Sequence, residues 1–228
     1  MCVICICKGR GLTEKEIVSA FRSNDDGASY AWQSEGKICY KKGFMKVEHI
    51  IKDYFSSGIN THYPHIVHFR NATNKVTAKL THPFIISEKS PLSLTYKGNE
   101  SLLFHNGVMS DWKNKMMDFY LHNAKRIPDG DFSDSRFIAI LTHFLGPNIL
   151  SILGDKYVVF GLKNIDLYGS FEENDNGIIA SNKSYKTGNT IYTKSQTRAL
   201  MRGELVNSNP LNICDINVLD DTPDRFDE

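Results

Sequence analysis

Cys2-Val3-Ile4-Cys5-Ile6-Cys7, followed by Lys8-Gly9-Arg10-Gly11, is the stretch on which the fold turns. Six apolar residues that stop at a glycine-rich turn predict a buried strand. Period-two alternation sets Cys2 on one face of it and Cys5 and Cys7 on the other. Removal of Met1, expected when the second residue is small, would leave Cys2 with its thiol and its α-amino group on one carbon. An α-amino group titrates at about 8 and a thiol at about 8.5, so at neutral pH the amine can take the thiol proton directly or through one water. The first strand thereby carries a candidate nucleophile with its own base.

Outward from this strand, Thr13-x-x-Glu16 is a capping box ahead of Ile17, Ala20 and Phe21, which predicts a short helix. Asn24-Asp25-Asp26-Gly27 reads as a turn, and 29–33 and 37–42 flank Ser34-Glu35-Gly36 as a hairpin. Val47, Ile50, Ile51, Tyr54 and Phe55 recur at helical spacing. Residues 65–70 alternate as a strand, with Ile66, His68 and Arg70 on one face and His65, Val67 and Phe69 on the other; 102–105 is another strand. Trp112, Met116, Phe119 and Tyr120 mark one helix. Phe137, Ile140, Leu141, Phe144 and Leu145 mark a second, ended by Gly146-Pro147. From Lys156 the pattern turns to strands at 157–161, 166–171 and 177–181.

The 228 residues, 41% apolar and 23% charged, suit one soluble domain, predicted over 1–214. Residues 215–228 hold six acids and one arginine and predict a disordered tail. With the chain at +1, the remainder is mildly basic, compatible with a small anionic substrate. Direct nucleic-acid binding is not indicated. No run approaches the roughly 20 apolar residues of a membrane helix, and no basic-then-apolar leader is present, so a cytoplasmic protein is expected. Five cysteines (Cys2, Cys5, Cys7, Cys39 and Cys214), odd in number, predict reduced thiols rather than a disulfide framework.

Met1-Cys2-x-Ile4, His68-Phe69-Arg70-Asn71-Ala72-Thr73, His82-Pro83-Phe84, Phe104-His105-Asn106-Gly107 and Asp134-Ser135 occur in an order that resembles the class II glutamine amidotransferases, members of the N-terminal nucleophile hydrolases. The late segment Gly177-Ile-Ile-Ala-Ser181-Asn182-Lys-Ser184-Tyr185 is similar to stand-alone members, and Asn24-x-Asp26-Gly27-Ala28 and Lys42-Gly43-Phe44 to phage-encoded single-domain ones. The resemblance implies an α+β four-layer αββα sandwich without a cofactor or a metal. It makes Cys2 the nucleophile and Asn106 (side-chain amide) and Gly107 (backbone N–H) the oxyanion hole. Arg70 becomes the partner of the glutamine α-carboxylate, with Thr73 adding a hydroxyl, and Asp134 the partner of the α-ammonium. It implies glutamine or a related γ-glutamyl amide as substrate. Any ammonia acceptor would be a separate enzyme, in keeping with phage-encoded members one that modifies a nucleotide or base.

The sequence departs from the family at Val3, Asn71, Asn74-Lys75 and Arg136, and Lys75 and Arg136 are candidates to recruit a further negative charge. His68, His82 and His105 are expected to be structural hydrogen-bonding residues beside the site. Singly, Arg70 also reads as a surface ion-pair residue, Asn106-Gly107 as a turn and Asp134 as a helix cap. Other readings are an amidohydrolase acting on another γ-glutamyl or amide compound, and a non-catalytic binding module. A metal hydrolase built on Cys2, Cys5 and Cys7 or on His62, His65 and His68 is disfavoured, because strand alternation points the members of each set to opposite faces.

Overall fold

The computed structural model describes residues 2–59, 63–73, 75–174 and 177–186. The first strand forms as β1 (Val3–Cys7), buried throughout. It lies inside a seven-stranded antiparallel sheet because both its edges find partners. On one side is β4 (His65–Phe69), with Val3 opposite Phe69 and Cys7 opposite His65; on the other is β11 (Ile178–Ala180). Beyond β4 come β2 (Ala28–Ser34), β3 (Lys37–Phe44) and β6 (Thr95–Gly98), and beyond β11 comes β10 (Glu172–Glu173). The hairpin of β2 and β3 closes on Glu35 and Gly36, at φ of 52° and 67°, the positive-φ pair that matches strand twist in a two-residue turn. A second antiparallel sheet holds β5 (Phe84–Ile85), β7 (Leu102–Asn106), β8 (Lys156–Phe160) and β9 (Ile165–Tyr168) in that order.

Alternation along β1 divides the core. Ile4 and Ile6 pack with Leu102, Phe104, Val158 and Phe160 of the second sheet, so the two sheets meet there. Val3, Cys5 and Cys7 pack on the other face with Ile17, Ala20 and Phe21 of α1 (Glu14–Ser23) and Ile50 and Tyr54 of α2 (Val47–Ser56). A third cluster sets Phe137, Ile138 and Leu141 of α4 (Asp134–Leu145) against Leu103, Tyr157 and Val159. Trp112, Met116 and Phe119 of α3 (Trp112–His122) and Leu150 of α5 (Ile149–Leu153) join it. Each fully buried large apolar side chain here contributes roughly 1.5–3 kcal/mol. The capping box of α1 is complete: Glu16 N–H donates to the Thr13 hydroxyl at 3.3 Å and Thr13 N–H to the Glu16 carboxylate at 2.8 Å.

The outcome is a mixed α+β protein built on antiparallel sheets, and by internal contacts all described residues belong to one compact unit. The predicted bounds hold to within two residues for β1, β2, β3, β4, β7, β8 and β11. The strand expected over 166–171 is shorter, Ile165–Tyr168. The elements not anticipated are short: β5, β6, β10, α5 and a 3-10 turn over Ala78–Leu80. No helix among the described residues is long and apolar enough to cross a membrane. The expected domain end at 214, the acidic tail over 215–228, Cys214 and His62 lie outside the described residues.

Candidate active site

The register of β1 on β4 sets the site. Val3 stands opposite Phe69, so Cys2 and Arg70 leave the sheet at one edge, side by side. The Asn106 end of β7, the Gly107 turn that follows and the first turn of α4 reach the same edge. Cys2, Arg70, Asn71, Ala72, Thr73, His82, His105, Gly107, Ser133, Asp134 and Ser135 line one cleft of about 30 Å³, the room of about one water.

Cys2 is 8% exposed. Asn71 N–H donates to its Sγ at 3.3 Å, and the thiol faces Asn71 O at 3.7 Å. Burial pushes the Cys2 thiol up, against the lowering influence of that Asn71 N–H and of Arg70. Its carbonyl accepts from Asn182 Nδ2 at 2.7 Å. Arg70 is buried; Nη2 donates to Lys75 O at 3.2 Å, while Nη1 has no partner among the described residues. Thr73 is exposed at the cleft rim. The carboxylate of Asp134 accepts from Met109 N–H at 3.1 Å and Ser135 N–H at 2.8 Å. Asp134 does not cap α4: Ser133 does, its hydroxyl accepting from Arg136 N–H at 3.2 Å.

Asn106 is buried beside the cleft. As placed, Nδ2 donates to Ser181 Oγ at 2.9 Å and Oδ1 has no partner among the described residues. Ser181 Oγ also accepts from Ile4 N–H at 3.0 Å, which leaves its own proton free. Turning the near-isosteric amide by 180° lets Oδ1 accept the Ser181 proton and leaves Nδ2 as the atom without a partner among the described residues, a donor free for a ligand. Ser181 and Asn182 thus anchor β1 and Asn106, a part that the sequence resemblance of 177–185 did not assign.

Two expectations need correction. Arg136 recruits no anion: it is 2% exposed and its guanidinium is spent on the carbonyls of Ser90, Lys89, Asp129 and Asp131 at 2.8–3.0 Å. Lys75 is likewise engaged, with Asp131 at 2.9 Å. Of the three histidines expected to be hydrogen-bonded, His105 is, through both ring nitrogens, and the His68 ring meets the backbone of His105; His82 is not. Both ring nitrogens of His82 lack a partner among the described residues, and its ring lies 4.2 Å from that of His68, tilted by 46°. Burial lowers the pKa of His68 to about 3 and that of His82 well below the usual range, so both stay neutral. Cys5 and Cys7 sit in the core, where burial pushes Cys7 up to about 12. Among the described residues no group of three or more His, Cys, Asp or Glu is placed to hold a metal ion.

Fold and cleft together define a mixed α+β protein with a cysteine-bearing polar cleft at a sheet edge. No protein-family model and no curated protein matches the chain. Among solved structures it is similar to glutamine phosphoribosylpyrophosphate (PRPP) amidotransferase from B. subtilis, complexed with ADP and GMP. The TM-score is 0.52 at 15% identity, over 81% of this chain and 42% of that one. That likeness is one of fold, and this chain spans less than half the length of that enzyme.

Proposed function

We propose that the chain is a class II type glutamine amidotransferase domain, a four-layer αββα sandwich in which an N-terminal Cys2 hydrolyses glutamine. The observation that carries this reading is the convergence of Cys2, Arg70, Thr73, Gly107 and Asp134, from separate segments, on one cleft. The three core clusters and the likeness to a solved glutamine amidotransferase support the fold.

With Met1 removed, the Cys2 amine takes the thiol proton. Burial disfavours a free thiolate, so this transfer accompanies attack rather than preceding it. Sulfur bonds to the γ-carboxamide carbon of glutamine, and the former carbonyl oxygen becomes an oxyanion held by Gly107 N–H and Asn106 Nδ2 in its turned orientation. The ammonium returns its proton to the leaving nitrogen, the C–N bond breaks, and ammonia departs from a Cys2 thioester. Water, deprotonated by the same amine, then attacks the thioester and frees glutamate. The unpartnered Arg70 Nη1 suits the α-carboxylate, with the Thr73 hydroxyl at the rim, and Asp134 suits the α-ammonium. Glutamine is larger than the cleft, so it enters when 71–73 moves off the sulfur. The chain acts as a phage-type stand-alone domain in the cytoplasm, handing ammonia to a separate enzyme that modifies a nucleotide or base.

The test is alkylation by a glutamine-like electrophile followed by peptide mass mapping. Labelling of Cys2 that glutamine suppresses supports the reading; equal labelling of Cys39, or labelling indifferent to glutamine, contradicts it.

A further inference from the structure

Asp155 lies in the turn before β8, fifty residues from His105 in the chain and outside every sequence motif, yet it reaches the cleft from behind. Its Oδ2 is 3.2 Å from His105 Nε2. On the far side of that ring, Nδ1 is 3.0 Å from Ser135 Oγ. Ser135 in turn meets Asp134 Oδ1 twice, through its N–H at 2.8 Å and its hydroxyl at 3.3 Å. His105 and Ser135 are buried, 1% and 5% exposed. The ring is held flat as well, stacked on Tyr157 at 4.7 Å. The result is a chain Asp155–His105–Ser135–Asp134 running behind the cleft wall.

The same carboxylate touches the opposite end of the site. A Cβ on Gly107 would overlap the Asp155 carboxylate, and φ at Gly107 is not positive, so the absent side chain serves this close approach rather than a left-handed backbone. One side chain therefore packs under the backbone of Gly107 and begins the chain that ends on Asp134.

We propose that Asp155 is a positioning residue that sets both ends of the candidate site, the Gly107 turn directly and the Asp134 carboxylate through His105 and Ser135. The assignment rests on the glutaminase reading for its kinetic consequences and on geometry alone for the chain itself. A carboxylate only accepts, so the ring proton facing Asp155 is on Nε2. The hydrogen bond from His105 in turn holds the Asp155 carboxyl below its usual range. The single Ser135 hydroxyl proton goes to Nδ1 when the ring is neutral and to Asp134 when the ring is doubly protonated. In both states Ser135 stays clamped between ring and carboxylate, and its N–H fixes Asp134 Oδ1.

The experiment compares wild-type chain with D155N and D155A by imidazole ¹⁵N–¹H spectroscopy and by glutamine kinetics. Wild type should show a slowly exchanging His105 Nε2–H. D155A should lose it; D155N, whose amide oxygen still accepts, should keep it. Displacing a reacting group by about 1 Å costs on the order of 10²-fold, so kcat/KM should fall by about that in D155A, with both kcat and KM worse, and be largely restored in D155N. An unchanged His105 resonance in D155A overturns the chain. Loss of the resonance with unchanged kcat and KM overturns the positioning role. If wild type itself releases no ammonia, the glutaminase reading fails, while the resonance still decides whether the chain exists.

Discussion

Lys42 sits on β3 with its ammonium donating to Pro83 O at 3.0 Å and lying 4.6 Å from the ring of Phe84. Burial there, with Arg136 and Arg70 nearby, lowers its pKa to about 7. The unfolded chain holds the proton up to the ordinary lysine range, so between about pH 7 and that range it binds more protons than the folded one. Stability from this group therefore rises with pH across the window and is lost as pH falls through about 7. The denaturant midpoint should climb between pH 7 and 8.5 in wild type and climb less in Lys42→Met. Equal slopes would mean that Lys42 is solvated. The window stops at 8.5 because Cys5 and Cys7, pushed up by burial, act in the opposite sense at higher pH.

Within the cleft, substitutions should divide by what they touch. Under the proposed glutaminase reading, Arg70→Ala and Asp134→Asn would remove contacts to groups remote from the reacting carbon. KM for glutamine should rise by roughly 10–100-fold in each, the worth of a charge-assisted hydrogen bond, with kcat little changed. Asn106→Ala, beside the cleft, should lower kcat by about 10²–10³-fold if its amide is the proposed donor to developing charge. Steady-state kinetics that reverse this division would reassign the roles. Cys2, Arg70, Gly107 and Asp134 could be singled out as candidates because motif residues carry their chemistry in their type, and the structure brings them to one cleft. The parts played by Asp155, Ser181 and Arg136 were not legible: their partners lie across the fold, and an Asp in a turn or an Arg after Asp-Ser looks the same whether it faces water or four carbonyls.

Among the elements, α4 matters most to the site because its first turn carries Asp134. Arg136 ties that turn to 89–90 and 129–131 through four carbonyls, a fork that lysine cannot reproduce. Arg136→Lys should cost about 2–4 kcal/mol, since carbonyls left buried without a donor cost about 1–3 kcal/mol each. Denaturant unfolding would check this, and a loss under about 0.5 kcal/mol would show that the loops hold without it. Strong stripes such as those of α1, α2 and α4 could be read directly because one face of each is buried against a sheet. β6 could not: Thr95 and Lys97 are exposed and only Tyr96 packs inward, so an edge strand shows no apolar alternation. α5 was hidden because Gly146-Pro147 reads as a helix end, whereas the chain turns there and restarts a helix two residues on at Ile149.

At the scale of the molecule, two sheets packed face to face bring β1, β4, β7 and α4 to one edge, and this gathers residues 2, 70, 107 and 134. Two facing sheets were implied by the resemblance alone, and the register that puts Cys2 beside Arg70 by no sequence pattern, since a one-residue slip would turn Cys2 into the helix-facing core. Ammonia release decides whether a free Cys2 amine and thiol together hydrolyse glutamine. The measurement compares chain whose mass shows Met1 removed with chain carrying an uncleaved N-terminal tag, at equal concentration and with the same fold by circular dichroism. The processed chain should release ammonia and glutamate in equal amounts, and the tagged chain and Cys2→Ala none above background. Equal turnover by tagged and processed chain would contradict hydrolysis by the free Cys2 amine and thiol together.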